Sequence, residues 1–176
     1  MLYEIIATFV ALNDGMTEPP SAKIFSFMEK DSKQTGLFVG SFDPFTEGHA
    51  SVVRRALLLF GRLVIGIGIN PEKQYMFTAE ERRERIARRY AGDPRIEVVV
   101  YNGLTVDLAQ RIGARFIVKG VRNAADFAYE MRQADYNRKA AGIETLLLPA
   151  EEGLIDVSST HERERLKREL LSKQKQ

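Results

Sequence analysis

Ten consecutive residues, Gly40-Ser41-Phe42-Asp43-Pro44-Phe45-Thr46-Glu47-Gly48-His49, gather two hydroxyls, two glycines and an imidazole in one short stretch. Leu37, Phe38 and Val39 lead into it as a buried strand. Val52, Val53, Ala56, Leu57 and Phe60 follow at helical spacing, with Arg54 and Arg55 opposite them. The pattern is strand, glycine-bearing loop, then a helix beginning near Glu47 to Ala50. A helix N-terminus offers unpaired backbone N–H groups and partial positive charge, both suited to phosphate. Gly40 and Gly48 let the backbone come close to a ligand. His49 in the first turn adds a nitrogen that can carry a proton, or else it simply caps the helix.

Four further stretches carry groups of the same kind: Asn70 to Lys73, Asn102 to Thr105, Lys119 to Arg122, and Leu154 to Thr160. Each has a plainer reading. Lys73 is equally at home in a solvent-exposed loop. Asp126 and Glu130 are four residues apart on one helix and can pair with Arg122 or Arg132. Ser158-Ser159-Thr160 serves as a helix N-cap without a ligand. Phe127, Tyr129 and Tyr136 suit core or subunit contacts better than base stacking, and His161 stands exposed in a charged helix.

The elements that position these groups alternate between strand and helix. Leu63 to Ile69 reads as a buried strand. Thr78 caps the helix Ala79 to Tyr90 and forms a capping box with Glu81; the Arg and Glu of that helix make a solvated face. Ile96 to Tyr101 is a strand and Val106 to Ile112 a helix ended by Gly113. Phe116 to Val118 is a short strand, and Ala124 to Ala141 a long helix stopped by Gly142. Thr145 to Leu148 is a fifth strand, and Ser158-Ser159-Thr160 opens the last helix. Alternation of this kind predicts an α/β fold, a doubly wound five-stranded parallel sheet of Rossmann-like type. Ligands bind such sheets beyond the carboxyl ends of the strands, where every candidate stretch falls.

The 176 residues suit one domain, with 44% hydrophobic and 28% charged residues. The net charge of +2 gives no argument for nucleic acid as a partner, and no apolar stretch is long enough to span a membrane. Cysteine is absent, which excludes disulfides and thiolate chemistry; with only His49 and His161 as histidines, no structural zinc site is expected. A cytoplasmic location fits. Residues 1–34 read as an N-terminal extension of unknown role, ahead of a catalytic domain over 35–176.

Gly40 to His49 resembles the first motif of the nucleotidylyltransferase superfamily, whose signature is a His- or Thr-x-Gly-His. Lys119-Gly120-Val121-Arg122-Asn123-Ala124-Ala125-Asp126-Phe127-Ala128-Tyr129-Glu130 and Val157-Ser158-Ser159-Thr160 resemble the phosphopantetheine adenylyltransferase family within it. The likeness runs from about Gly36 to Thr160. It implies transfer of the adenylyl group of ATP to 4′-phosphopantetheine, giving dephospho-coenzyme A and pyrophosphate, with Mg²⁺ carried on the nucleotide. Such chemistry needs positioning and charge neutralisation rather than a covalent nucleophile.

The resemblance implies catalytic roles for His49, Lys73, Arg122 and Ser159. Ser41 would touch both substrates, while Phe42, Gly120, Val121, Arg122 and Glu130 hold the nucleotide. Leu154, Ile155, Asp156, Val157, Ser158, Ser159 and Thr160 would close over ATP. Lys73, Leu104, Thr105 and Lys119 would hold the acceptor. A homo-oligomer, by resemblance a hexamer, is implied as well. Ser41 and Lys119 stand where Thr and Arg are more usual in the family, and the charged segment after Thr160 departs from its pattern. Two alternatives stay open: nucleotidyl transfer to another acceptor such as nicotinate mononucleotide or glycerol phosphate, and a non-catalytic nucleotide- or coenzyme-binding module.

Overall fold

The computed structural model describes residues 34–173; the expected N-terminal extension lies almost wholly outside them. Five strands form one parallel sheet: β1 (Thr35–Gly40), β2 (Arg62–Gly68), β3 (Ile96–Tyr101), β4 (Phe116–Val121) and β5 (Glu144–Pro149). Between and after them run α1 (Glu47–Ala56), α2 (Ala79–Arg89), α3 (Thr105–Arg111), α4 (Ala124–Ala141) and α5 (Ser159–Lys173). The spatial order is β3-β2-β1-β4-β5. The chain winds outward from β1 to β3, then returns to place β4 on the other side of β1. That reversal makes the carboxyl ends of β1 and β4 the switch point of a doubly wound sheet.

Alternate strand residues enter two separate cores, as the twofold repeat of a strand requires. Phe38, Leu63, Ile65, Ile67 and Val118 pack with Val52, Val53 and Ala56 of α1 and Ile86 of α2. Leu37, Val39, Val64 and Ile117 pack on the other face with Val106, Leu108 and Ala109 of α3 and with Ile143. A sheet buried on both faces explains why its strands read as continuous apolar runs.

The helix boundaries follow capping chemistry. Thr78 accepts from Glu81 N, and Glu81 answers by accepting from Thr78 N at 2.7 Å. Asn123 caps α4 by accepting from Asp126 N, and Gly142 ends it at φ 64°. β4 extends three residues beyond the expected Val118, because Lys119, Gly120 and Val121 stay in register with Leu147, Leu148 and Pro149 of β5. Against β1 the same strand pairs only from Phe116 to Val118. Beyond that point β1 and β4 part, and the site lies in the gap.

Candidate active site

Two cavities open where β1 and β4 diverge, sharing the walls Val39, Gly40, Ser41, Lys119 and Glu130. The first, about 290 Å³, lies over the N-terminus of α1 and is closed by the loop after β5. The second, about 270 Å³, extends toward the ends of β2 and β3.

The wall of the first cavity begins with the loop after β1. Phe42 has a left-handed backbone (φ 49°), uncommon for a bulky residue, and its ring is buried among Phe38 and Phe45. Gly40 is needed for this ring: a Cβ there would meet Phe42 Cε1 at 2.9 Å. The glycine thus makes room for a side chain of its own loop, a reason the sequence did not reveal. The Asp43–Pro44 peptide is cis. Asp43 is buried at 2% exposure, and its carboxylate accepts from Met76 N (2.8 Å) and Phe77 N (3.0 Å), fastening the loop after β2 to the loop after β1.

His49 is the third residue of α1, where a capping box usually has Glu or Gln, and its Nδ1 accepts from Thr46 N at 3.0 Å. A nitrogen that accepts from a backbone N–H carries no proton, so in the neutral ring Nε2 is the donor. Desolvation against Phe42 and Phe45, with the positive charges of Arg122 and Lys119 second, lowers the His49 pKa to about 4. His49 therefore both caps the helix and offers an uncharged N–H donor in the cavity wall. The two readings of this residue are compatible.

Opposite it, the cations rest on carboxylates. Lys119 Nζ is 3.0 Å from Glu130, and Arg122 Nε donates to Asp126 at 2.9 Å. Glu130 thus pairs with Lys119 rather than with either expected arginine. Gly120, Val121, Leu154, Val157, Ser158, Ser159 and Thr160 also line this cavity. Ile155 and Asp156 do not: Ile155 is exposed, and the Asp156 carbonyl is 2.8 Å from His161 Nδ1. α5 is tied to the β1 loop by two long-range bonds. Ser159 Oγ donates to the Pro44 carbonyl (2.9 Å) and Arg163 donates to the Asp43 carbonyl (2.7 Å).

Lys73 and Thr105 line the second cavity with Ser41 and Lys119. Tyr101 Oη and Thr105 Oγ1 are 2.9 Å apart, and Asn70 N donates to Tyr75 Oη at 2.8 Å. Leu104 is 52% exposed and lies outside the cavity. Phe127, Tyr129 and Tyr136 on α4 are about half exposed rather than in the core.

Several contributors escaped the sequence reading. Ser51 donates to Glu151 at 2.5 Å, and both line the first cavity. Asn137 is buried in the wall of the second and donates to Thr145 at 3.2 Å. Arg82, expected on a solvated face, is only 2% exposed and donates to the Ser41, Phe77 and Thr78 carbonyls. The one available signal for Arg82 was its spacing from Ile86, four residues on along the buried stripe.

Chemically, the first cavity offers a helix N-terminus, an uncharged imidazole donor, hydroxyls and two cations, which suits a polyphosphate. The second offers cations at its near end and mixed aromatic and amide groups beyond, which suits a phosphate on a longer polar arm. Ser41 and Lys119 belong to both.

A family model described as cytidylyltransferase-like matches residues 37–165. A phosphopantetheine adenylyltransferase from Porphyromonas gingivalis is 49% identical over 132 residues, covering 75% of this chain and 86% of that protein. Its namesake from Bacteroides thetaiotaomicron is 53% identical over 130 residues, 74% and 86% of the two chains. Among solved structures, a bifunctional NMN adenylyltransferase/ADP ribose pyrophosphatase from Francisella tularensis aligns with TM-score 0.55 at 17% identity. The alignment covers 76% of this chain and 42% of that one, a likeness of fold.

Proposed function

Because the chain belongs to the cytidylyltransferase-like family and, within it, to the phosphopantetheine adenylyltransferases, we propose that it transfers the adenylyl group of ATP to 4′-phosphopantetheine, a step of coenzyme A biosynthesis. The observation that carries this reading is the pair of cavities meeting at Ser41 and Lys119. In the reaction, an oxygen of the acceptor phosphate attacks the α-phosphorus of ATP. The bond from that phosphorus to the bridging oxygen breaks, and pyrophosphate leaves with the electron pair.

Each residue then has a task. Lys119 and Lys73 hold the acceptor phosphate, and Ser41 lies between the two reacting groups. Nε2–H of His49 donates to the α-phosphate, whose charge rises in the pentacoordinate transition state. Arg122, Ser158, Ser159 and Thr160 hold the β- and γ-phosphates as charge moves toward the leaving group. Lys119 and Arg122 must exchange Glu130 and Asp126 for phosphate, so the carboxylates serve as resting partners that keep both cations aimed inward. Phe42, Gly120, Val121, Glu130, Leu154 and Val157 enclose the nucleotide, while Thr105 flanks the acceptor arm and Leu104, exposed outside the cavity, takes no part.

No three His, Cys, Asp or Glu converge as a metal cage among the described residues. Mg²⁺ would arrive on the nucleotide, held by its phosphates and water, and would neutralise phosphate charge there. The exposed Phe127, Tyr129, Met131 and Tyr136 of α4 support association of copies of this chain. No described helix is long and apolar enough to cross a membrane, and a cytoplasmic setting suits the substrates.

The test is pyrophosphate release with ATP and Mg²⁺, comparing 4′-phosphopantetheine with nicotinate mononucleotide, in the unsubstituted protein and in His49→Ala. Release is expected only with phosphopantetheine, reduced roughly 100- to 1,000-fold in the variant. Release with nicotinate mononucleotide alone would reassign the acceptor, and ATP binding without release would leave a binding protein.

A further inference from the structure

A third cavity, of about 430 Å³, shares Phe42 with the first and no other lining residue. Phe42, Pro44, Phe45 and Phe77 line it together with Arg82, Arg85, Arg88 and Arg89, and no carboxylate does. Positions 82, 85 and 89 follow the spacing of one helix face, with 88 beside them.

The charges there are poorly compensated. Arg82 is 2% exposed, and its hydrogen-bond partners are three main-chain carbonyls. It lies over the Tyr75 ring at 4.2 Å, and among the described residues it has no carboxylate partner. The buried carboxylate of the same loop, Asp43, is taken by Met76 N and Phe77 N. A buried charge is ordinarily paired. Arg85 covers the Phe77 ring at 3.8 Å; the Glu81 carboxylate one turn before it feels its charge but is bonded to Thr78. Among the described residues Arg88 has no ion pair, and of these four arginines Arg89 is the one held by a carboxylate there, by both oxygens of Glu47. The remaining acids of α2 turn elsewhere, Glu80 to Arg83, with Glu84 exposed.

We propose that this cavity is a second anion site, taking a polyphosphate group through Arg82, Arg85 and Arg88. Guanidinium forks match phosphate oxygens in geometry as well as charge. The buried Arg82 supplies a charge that solvent does not screen, and the two exposed arginines supply reach. Since Arg82 also donates to the Ser41 carbonyl, an anion here acts on the same guanidinium that steadies the phosphate loop.

The probe is inorganic triphosphate, titrated by calorimetry into the full chain and into the double variant Arg85→Ala/Arg88→Ala. Both substituted side chains are exposed and lie outside the proposed catalytic set, so pyrophosphate release and the melting temperature are expected to stay unchanged. The readout is the difference in bound equivalents per chain. Loss of one equivalent, or weakening of that event by about tenfold or more, is expected. That difference does not depend on whether the first cavity also takes triphosphate, so its failure is separable from failure of the adenylyl-transfer reading. Arg88→Gln alone serves as the milder variant should the double one unfold, with an intermediate loss expected. Identical stoichiometry and affinity in both proteins would overturn the proposal. So would a cavity that binds an acidic peptide or RNA through these arginines while triphosphate binding is unaltered.

Discussion

His49 occupies a helix position that ordinarily takes a carboxylate, and the exchange sets its titration. With Nδ1 engaged by Thr46 N and the ring enclosed by Phe42 and Phe45, protonation would break the bond and bury a charge. The folded-state pKa, about 4, lies below the unfolded value near 6.5. Between these values the unfolded chain binds a proton that the folded chain refuses, so stability is whole above about pH 6.5 and falls as the pH approaches 4. The loss is on the order of 3 kcal/mol. Urea midpoints of the unsubstituted protein and His49→Gln, followed from pH 7.5 to 4.5, check it. The variant is expected to show a flatter slope, and parallel slopes would count against the assignment. The sequence identified His49 through its Gly-His motif but left open whether it caps or binds. The tautomer that reconciles them depends on a backbone bond no residue pattern states.

At the scale of elements, the loop after β1 is held from three sides by groups that lie far apart in the chain. Asp43 gathers Met76 N and Phe77 N, Arg82 reaches the Ser41 carbonyl, and α5 contributes Ser159 and Arg163. Asp43→Ala leaves two backbone donors without their acceptor, and a stability loss on the order of 3 kcal/mol is expected in urea unfolding. Asp43→Asn, keeping one acceptor oxygen, should lose less. Equal losses in the two variants would mean that the carboxylate is not what those amides need. Most elements were legible from periodicity and caps. The long helix was expected at Ala124 to Ala141 and lies there, because Gly142 is a strong stop signal; the Asn123 cap at its start went unread. The reach of β4 to Val121 was not legible, since Lys119 and Gly120 have poor strand propensity and are kept extended by β5 alone. Arg82 was hidden for a related reason: in a helix dense in Arg and Glu, composition says solvent, and only the fold says which arginine turns inward.

Across the whole molecule, one face of the site is built from β1, β4 and α1, and the other from the last segment of the chain. The joining of these two faces is therefore a contact between residues more than a hundred positions apart. α5 has no fully buried side chain, and Leu170 and Leu171 are each 59% exposed. The helix is thus held mainly at its first turns, and its backbone should open more readily than the sheet. Hydrogen exchange is expected to be fast across 159–173 in the free protein and slowed in the first turns by ATP. Arg163→Ala should raise KM for ATP several-fold, of the size expected for one lost charge-assisted bond, and leave kcat nearly unchanged. A kcat effect instead would make this arginine part of the chemistry. The convergence of the candidate stretches on one end of the sheet was legible from their positions after strands. The third cavity was not, because its four arginines fall on a helix that the strand rule passes over, facing residues of the loops after β1 and β2.

The parting of β1 from β4 after Phe38 and Val118 has one more consequence. Sheet edges are ordinarily a hazard at the rim of a fold, where another chain can add itself as a strand. Here a short edge lies in the interior: Val39 and Gly40 remain paired to β2, Lys119 and Gly120 to β5, and their inner sides face each other across the cavity. An intruding strand cannot reach such a seam, and its main-chain groups open onto the cavity instead. Recognition written into main-chain groups does not depend on which side chains hang from them. Alanine scanning would pass over this part of the site almost silently.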